Sequence, residues 1–482
     1  MKFSYKNSKL IKIWLNMSVE VRTSIAIMVA KFFQSAMKLL FVPVFTRMLT
    51  TAEYGIVTVF ESVQSTLGTI TMLFLWTNVY NRGMQEFKQD RDQFTTSLLF
   101  LGNVCTVAVG AIFFAFRKQI MPFFTLTGTL WIIMFVGFLF IPAYYFWVER
   151  QKFEFRYQKM FLVTILINLF SPILAVLMIA SPVSDKALAK VVGTIIVLLA
   201  AYIPLFIITY KKSNWKAKWE YVKYGIKLNT PLIPHYASQQ LLSSCDRIMI
   251  AHMISESSAG IYGMVYQMST VVMIVWDSIN AVLIPWEYDK IEKGKIEEIK
   301  KLTRVLILVY AVICIGIMFV APEAVKLFAP SGYYAGIYVM APVIGGTFFN
   351  GLFSLLSILE IYYKKTIYVM VASSVAAVLN VILNWIFIPI FGYQAAAYTT
   401  LICYAFYSFL HALNLKNLHL SHYYDMKTIY CIMVAMIVVS VIVAQTYSGW
   451  IIRYLLLLVI LLLAFWKRDI LFKALMEFRK KK

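Results

Sequence analysis

Apolar residues fall in long blocks along this chain, separated by short runs rich in Lys, Arg, Gly and Pro. The stretches 195–208, 305–320 and 454–466 are nearly uninterrupted. Each lies inside a window of the ~20 residues that cross ~30 Å of hydrocarbon. Windows bounded by charge and turn signals predict fourteen spans: 21–46, 55–78, 95–116, 124–148, 160–181, 189–210, 228–252, 260–285, 303–322, 336–362, 366–389, 394–413, 428–446 and 449–466. The first, seventh and tenth are amphipathic and weakest by hydropathy. The two longest connections, 211–227 and 286–301, are basic or mixed in charge, and short amphipathic or interfacial helices are expected there. The pattern predicts an all-α polytopic membrane protein with no room for a soluble enzymatic domain.

Composition sharpens this reading. Hydrophobic residues make up 61% of the chain and charged ones only 14%, against ~25% charged in a soluble domain. A larger core cannot hide the excess, because surface grows too fast with size to be covered by so few charges. The net charge of +22 raises the question of nucleic acid. The position of the cations answers it: they sit in short connections between apolar spans, and nucleic-acid binding is not expected. With the N-terminus inside, 35 of the 45 Lys and Arg fall in cytoplasmic segments, seven in external ones and three (Lys31, Lys38, Arg247) inside spans. Such a bias places both termini in the cytoplasm. The start of the chain is polar and basic and the first span is too long for an h-region, so no cleavable signal peptide is expected. Cys105, Cys245, Cys314, Cys403 and Cys431 lie apart, with no metal-ligand spacing, and read as small buried apolar residues.

An internal repeat follows. Span one exits through Arg47-Met-Leu-Thr-Thr-Ala-Glu-Tyr-Gly55-Ile-Val, and span seven through His252-Met-Ile-Ser-Glu-Ser-Ser-Ala-Gly260-Ile-Tyr, 205 residues later. Six spans precede the second copy, so the halves share one orientation, as in parallel-repeat transporters. A weaker echo links Ile167-Asn-Leu to Leu379-Asn-Val-Ile-Leu-Asn. The expected organisation is an N-terminal lobe over 1–225, a C-terminal lobe over 226–423, and an additional pair of spans with a basic cytoplasmic tail over 424–482. The Arg47…Ala-Glu-Tyr-Gly55 exit, Asp246-Arg247-Ile-Met-Ile…Ser-Ala-Gly260-Ile-Tyr and Leu379-Asn-Val-Ile-Leu-Asn-Trp…Pro389-Ile-Phe-Gly392-Tyr-Gln-Ala-Ala resemble the multidrug/oligosaccharidyl-lipid/polysaccharide (MOP) exporter superfamily. Within it the sequence is most similar to the polysaccharide-biosynthesis (Wzx-type) flippases. The resemblance implies two pseudo-symmetric six-helix lobes around a central cavity, in a bacterial cytoplasmic (inner) membrane. It further implies transport of undecaprenyl-pyrophosphate-linked oligosaccharide to the outer leaflet for O-antigen, capsule or exopolysaccharide assembly, beside a polymerase and chain-length proteins. Many members of that branch have twelve spans; the extra pair here resembles the lipid II flippase branch, which leaves the substrate open.

Charges inside a span cost at least ~2.5–3.5 kcal/mol each, so each needs a reason. Lys31, Gln34 and Lys38 share one stripe of span one, within ~60° at ~100° per residue. They either line a hydrated cavity or snorkel and pair elsewhere. His235, Gln239 and Asp246 share a stripe of span seven within ~40°, widened by Ser238, Gln240, Ser243 and Ser244. Asp246 and Arg247, being adjacent, are expected to point ~100° apart and not simply to neutralise each other. A pyrophosphate head group prefers Arg or Lys, which makes Lys31, Gln34, Lys38, Arg47, His235, Gln239, Asp246 and Arg247 the candidate substrate-binding residues, with a structural ion pair as the alternative for Asp246 and Arg247. Glu61, Asp277 and Glu360 are candidates for carrying a coupling H+ or Na+, the last two near hydrated cytoplasmic ends. Pro43, Pro172, Pro231, Pro234 and Pro285 are candidate bends.

No GxxxxGK[ST] loop occurs, no cofactor is expected, and an ion gradient or substrate flux is the expected drive. The alternatives are a lipid II-type flippase, a multidrug exporter of the same superfamily, and a membrane polysaccharide polymerase or ligase. Cationic cargo calls for cavity carboxylates, and span one offers lysines. A polymerase or ligase calls for a large external loop, and every external connection is short.

Overall fold

The computed structural model describes residues 17–466, and among them every regular element is helical. In chain order the helices are α1 (Val19–Met48), α2 (Thr51–Thr71), α3 (Asn78–Glu86), α4 (Arg91–Ala115), α5 (Arg117–Phe124), α6 (Gly128–Phe153), α7 (Tyr157–Ala180) and α8 (Lys186–Lys212). There follow α9 (Trp219–Asn229), α10 (Ile233–Met253), α11 (Glu256–Glu292), α12 (Ile296–Phe328) and α13 (Ile337–Tyr362). The last are α14 (Thr366–Phe391), α15 (Gln394–Asn417), α16 (Met426–Gln445) and α17 (Trp450–Trp466). Each of the fourteen expected spans overlaps one helix, although the second ends at Thr71 rather than at 78. Among the described residues eleven helices are long and apolar enough to cross a membrane, and the chain is a multi-pass membrane protein. The basic ends that carry much of the orientation count, Lys2, Lys6, Lys9 and Lys12 and the tail beyond 466, lie outside the described residues.

Three long helices fall outside the eleven: α2, α10 and the shorter α17. Polar side chains that lower the hydropathy of α2 and α10 are bonded to one another. Gln240 Nε2 of α10 donates to Ser65 Oγ of α2 at 2.9 Å and to Ser244 Oγ at 2.7 Å. The first and tenth spans, expected to be weak, form α1 and α13. The expected helices in the 286–301 connection do not exist as separate elements. Instead α11 runs on to Glu292, α12 starts at Ile296, and the turn between them holds Gly294 at a φ of 65°, where a residue without Cβ avoids strain. In 211–227 a separate helix, α9, does form, with Trp219 at its first position and Trp215 before it both exposed.

The chain divides into two compact units. The first takes the chain up to Phe41, Leu67–Met121 and Thr127–Ile233. Its core stacks Tyr144 on Tyr202, ring centroids 4.8 Å apart, over Met160 and Ile167. Helices α7 and α8 meet where Gly193 leaves no room for a side chain, a Cβ there falling 2.6 Å from Ala175 Cα; small residues permit such approaches where lipid supplies no hydrophobic drive. At one end, ion pairs knit the connections. Lys218 Nζ donates to Asp90 Oδ2 at 2.5 Å, Tyr221 Oη donates to the same oxygen at 2.8 Å, and Arg150 pairs with Asp92 and Glu154. These bonds hold the Asp90 carboxyl below its usual range, while burial and the neighbouring carboxylate push the Tyr221 phenol up to about 12.

The second unit comprises Val42–Thr66, Pro122–Leu126 and the chain from Pro234 onward. Helix α13 is its axis: buried on nearly every side, it faces Ser440 and Leu401 at Gly345 and Trp276 and Tyr310 at Gly351. The two copies of the repeat meet within this unit. A Cβ on Gly55 would lie 1.8 Å from Glu256 O, and one on Gly260 would lie 2.1 Å from Thr51 O. Since Thr51 and Gly55 correspond to Glu256 and Gly260 in the repeat, the contact is reciprocal, as across a local two-fold axis. Both helices start alike. Glu53 Oε2 accepts from the Thr50 amide at 2.8 Å, and Ser255 Oγ accepts from the Ser258 amide at 3.2 Å, satisfying free helix-terminal donors.

Candidate functional site

Helix α1 carries Lys31, Gln34 and Lys38, all exposed on the protein surface in the first unit. Among the described residues no ion pair engages either lysine, so this polar stripe reaches the surface of a helix whose neighbouring positions, Phe32 and Leu40, are exposed and apolar. Arg47, at the helix end and in the second unit, is committed to backbone. Its Nη1 donates to Pro43 O at 2.9 Å and its Nη2 to Leu327 O at 3.1 Å, beside Thr46 Oγ1 on Phe328 O at 3.0 Å. Together they cap the last carbonyls of α12, which have no partner within their own helix.

Helix α10 follows a short 3-10 turn over Thr230–Leu232 that contains Pro231. Pro234 sits in its first turn, where a missing amide hydrogen costs nothing. Pro43, Pro172 and Pro285 lie inside α1, α7 and α11. The polar face of α10 is bonded along its length. His235 Nδ1 lies 2.9 Å from Ser373 Oγ, Ser238 Oγ 3.1 Å from Ser374 Oγ, and Gln239 Nε2 donates to Tyr407 Oη at 2.6 Å. His235 and Gln239 thus tie α10 to α14 and α15.

Asp246 and Arg247 correct the expectation that neighbours on a helix point apart. Arg247 folds back one turn onto Ser243 O, which brings its Nε to 3.9 Å from Asp246 Oδ1. Asp246 Oδ2 accepts from Tyr262 Oη at 2.5 Å, and the guanidinium lies 4.1 Å from the Tyr266 ring centroid. Four bonds of side chain give Arg a reach that angular bookkeeping at Cα misses. Both residues are buried, and their partners are α10 and α11.

The three candidate coupling acids separate. Glu61 and Asp277 are exposed on the protein surface. Glu360, expected near a hydrated end, is instead fully buried: its Oε2 lies 2.8 Å from His411 Nδ1, and both side chains are 0% exposed. Glu287, which the sequence places in a cytoplasmic connection, is equally buried and accepts from Tyr424 Oη at 2.5 Å. His411, Tyr424 and Glu287 were not legible as site residues. His411 lies near the end of its span with no charged residue at helical spacing beside it, and Glu287 follows an apparent span end at Pro285-Trp286. Of the cysteines, Cys245, Cys314 and Cys403 are buried as expected, Cys105 is half-buried, and Cys431 is exposed. Among the described residues no three His, Cys, Asp or Glu come together as metal ligands.

The family model described as "Polysaccharide biosynthesis protein" matches residues 44–335. The chain belongs to this family. An Lsg-locus protein of Haemophilus influenzae is 29% identical over 162 residues, covering 32% of this chain and 39% of that relative's length. The match thus spans about two fifths of the relative. The fold is similar to that of the lipid II flippase MurJ in an inward closed conformation, with a TM-score of 0.67 and 14% identity over 93% of this chain and 99% of that one. It is also similar to an outward-facing multidrug resistance MATE family transporter of the MOP superfamily, with a TM-score of 0.58 and 13% identity over 87% and 99% of the two chains. The fold of this polysaccharide biosynthesis protein is therefore that of the MOP superfamily, as the sequence motifs imply.

Proposed function

We propose that the chain is a flippase that moves an undecaprenyl-pyrophosphate-linked oligosaccharide from the inner to the outer leaflet of a bacterial cytoplasmic membrane, with both of its termini in the cytoplasm. Membership of the polysaccharide biosynthesis family supports the substrate class. The observation that carries the choice of an anionic cargo is the stripe Lys31, Gln34 and Lys38, exposed on a membrane helix whose one acid, Glu20, lies in the first turn away from the stripe. In hydrocarbon such a stripe is unfavourable by several kcal/mol; against a head group of about two negative charges it forms charge-assisted hydrogen bonds. The lipid tail stays in the bilayer while the head group is carried through by alternating exposure to the two sides. The likeness of fold to a lipid II flippase favours a second reading, in which the carried head group is a cell-wall precursor; both readings share the pyrophosphate. The flippase delivers its product to a polymerase and chain-length proteins, which assemble O-antigen, capsule or exopolysaccharide.

The test is scrambling-corrected flipping in proteoliposomes of a fluorescent short-chain polyprenyl pyrophosphate carrying one sugar. Lys38→Ala should slow transport, and Lys38→Glu should slow it further, at matched protein content. Full activity in both would remove the cationic mechanism.

A further inference from the structure

We propose that Glu360 and His411 hold the coupling proton of the transport cycle, an assignment that rests on the chain being a transporter. The two side chains join α13 to α15 in the interior of the second unit, with His411 Nδ1 2.8 Å from Glu360 Oε2 and no exposure of either. Their outer atoms, Glu360 Oε1 and His411 Nε2, have no hydrogen-bond partner in the protein. A pair that serves only to fasten two helices is worth its desolvation when the remaining lone pairs and protons are also satisfied. Here they are left open.

The charge arithmetic favours one proton. With one proton shared, as carboxylate and imidazolium or as carboxylic acid and imidazole, the pair is neutral. Removing it leaves a buried carboxylate with no cation, and adding a second leaves a buried imidazolium with no anion; either costs several kcal/mol. In this conformation neither side chain is exposed, so exchange of a proton with the pair requires water to reach it. Among the described residues no third His, Cys, Asp or Glu joins the two.

Polar groups lead away from the pair on two sides. On one side Tyr407, an electrostatic neighbour of Glu360, accepts from Gln239, and His235, a neighbour of His411, contacts Ser373. On the other side Tyr424 is a neighbour of Glu360 and donates to the buried Glu287, whose Oε2 is also unpartnered. The titratable groups around the pair are therefore Tyr407 of α15, His235 of α10 and Tyr424 before α16, with Glu287 of α11 beyond Tyr424. From α12, Arg304 faces Asp425, and α14 presents Ser373. The pair thus sits between a buried acid and the polar face of α10, which couples its proton to the helix that carries His235 and Gln239.

Two measurements on the full-length protein test this. The first needs no substrate. 15N-histidine NMR, assigned by His411→Gln, and infrared difference spectra, assigned by Glu360→Gln, read where the proton is at neutral pH. One proton on the pair is expected; a neutral imidazole beside a bare carboxylate overturns the proposal. The second is flipping of the short-chain polyprenyl pyrophosphate probe with and without an imposed pH gradient. The ratio of the two rates should differ from unity in the wild type and fall to unity in Glu360→Gln and in His411→Gln, each taken at wild-type thermal stability. A wild-type ratio of unity overturns the proton assignment and leaves the flippase reading standing. A wild type that flips no probe removes the flippase reading, and the spectra still decide whether the pair holds its proton.

Discussion

Substituting Gly55 by Ala should drive apart the two copies of the repeat. The added Cβ would lie 1.8 Å from Glu256 O, a backbone atom that cannot swing aside. Restoring van der Waals contact requires α2 and α11 to separate by roughly 1.5 Å, in a crossing where small residues exist to let backbones approach. That movement also breaks the 2.7 Å contact between Thr51 Oγ1 and Ser257 Oγ, worth ~0.5–1.5 kcal/mol. Overpacking costs a further ~1–3 kcal/mol, so the expected loss is about 2–4 kcal/mol. Gly260→Ala should cost a similar amount, because its Cβ meets Thr51 O at 2.1 Å. Reciprocity makes a sharper demand. Once one methyl has separated the helices, the second enters space already opened, so the double variant should fall short of the sum of the singles by at least ~1 kcal/mol. Thermal unfolding in detergent, followed by a thiol-reactive dye that reports exposure of the buried Cys245, Cys314 and Cys403, measures all three. Single variants within ~0.5 kcal/mol of wild type, or an additive double, would refute the shared close contact.

Other expectations follow from the same physics. The Asp90 carboxyl is held low by Lys218 and Tyr221, so its stabilising contribution is complete above the ordinary carboxylate range and fades as pH falls through the lowered value. Amide exchange in α9 should therefore rise at acid pH in the wild type, and Asp90→Asn should show raised exchange that no longer depends on pH there. Arg453, 2% exposed, pairs with Glu323 of α12. Since Ile451, Ile452, Leu455 and Leu458 of α17 are exposed, Arg453→Ala should loosen α17 at a cost of about 1–3 kcal/mol. Faster proteolysis after α16 would register it, and unchanged cleavage would count against the anchor.

The number and placement of the long helices were legible because the period and length of apolar blocks answer directly to the thickness of hydrocarbon. The repeat at Gly55 and Gly260 was legible as a pattern, but not as a contact, since nothing in the order of residues says that two equivalent turns touch. The polar stripe of α10 was found by angular position, while its partners Ser373, Ser374 and Tyr407 come from helices more than a hundred residues away. Angular position misled at Asp246 and Arg247, where side-chain reach outweighs the direction of the Cα–Cβ bond. Distance from a span end misled at Glu360, because α13 is enclosed by other helices up to its last turn, and depth in the sequence of a span is not depth in protein. Arg47 is a candidate because a pyrophosphate prefers Arg or Lys; the sequence does not show that its guanidinium also meets the carbonyls of Pro43 and Leu327.

The most direct test of the central claim is leaflet transfer by the purified protein, comparing the polyprenyl pyrophosphate probe with a hydrophobic organic cation in the same proteoliposomes. The account predicts transfer of the anionic lipid, slowed by Lys38→Ala and more so by Lys38→Glu, and no movement of the cation. Movement of the cation alone, indifferent to Lys38, would contradict it.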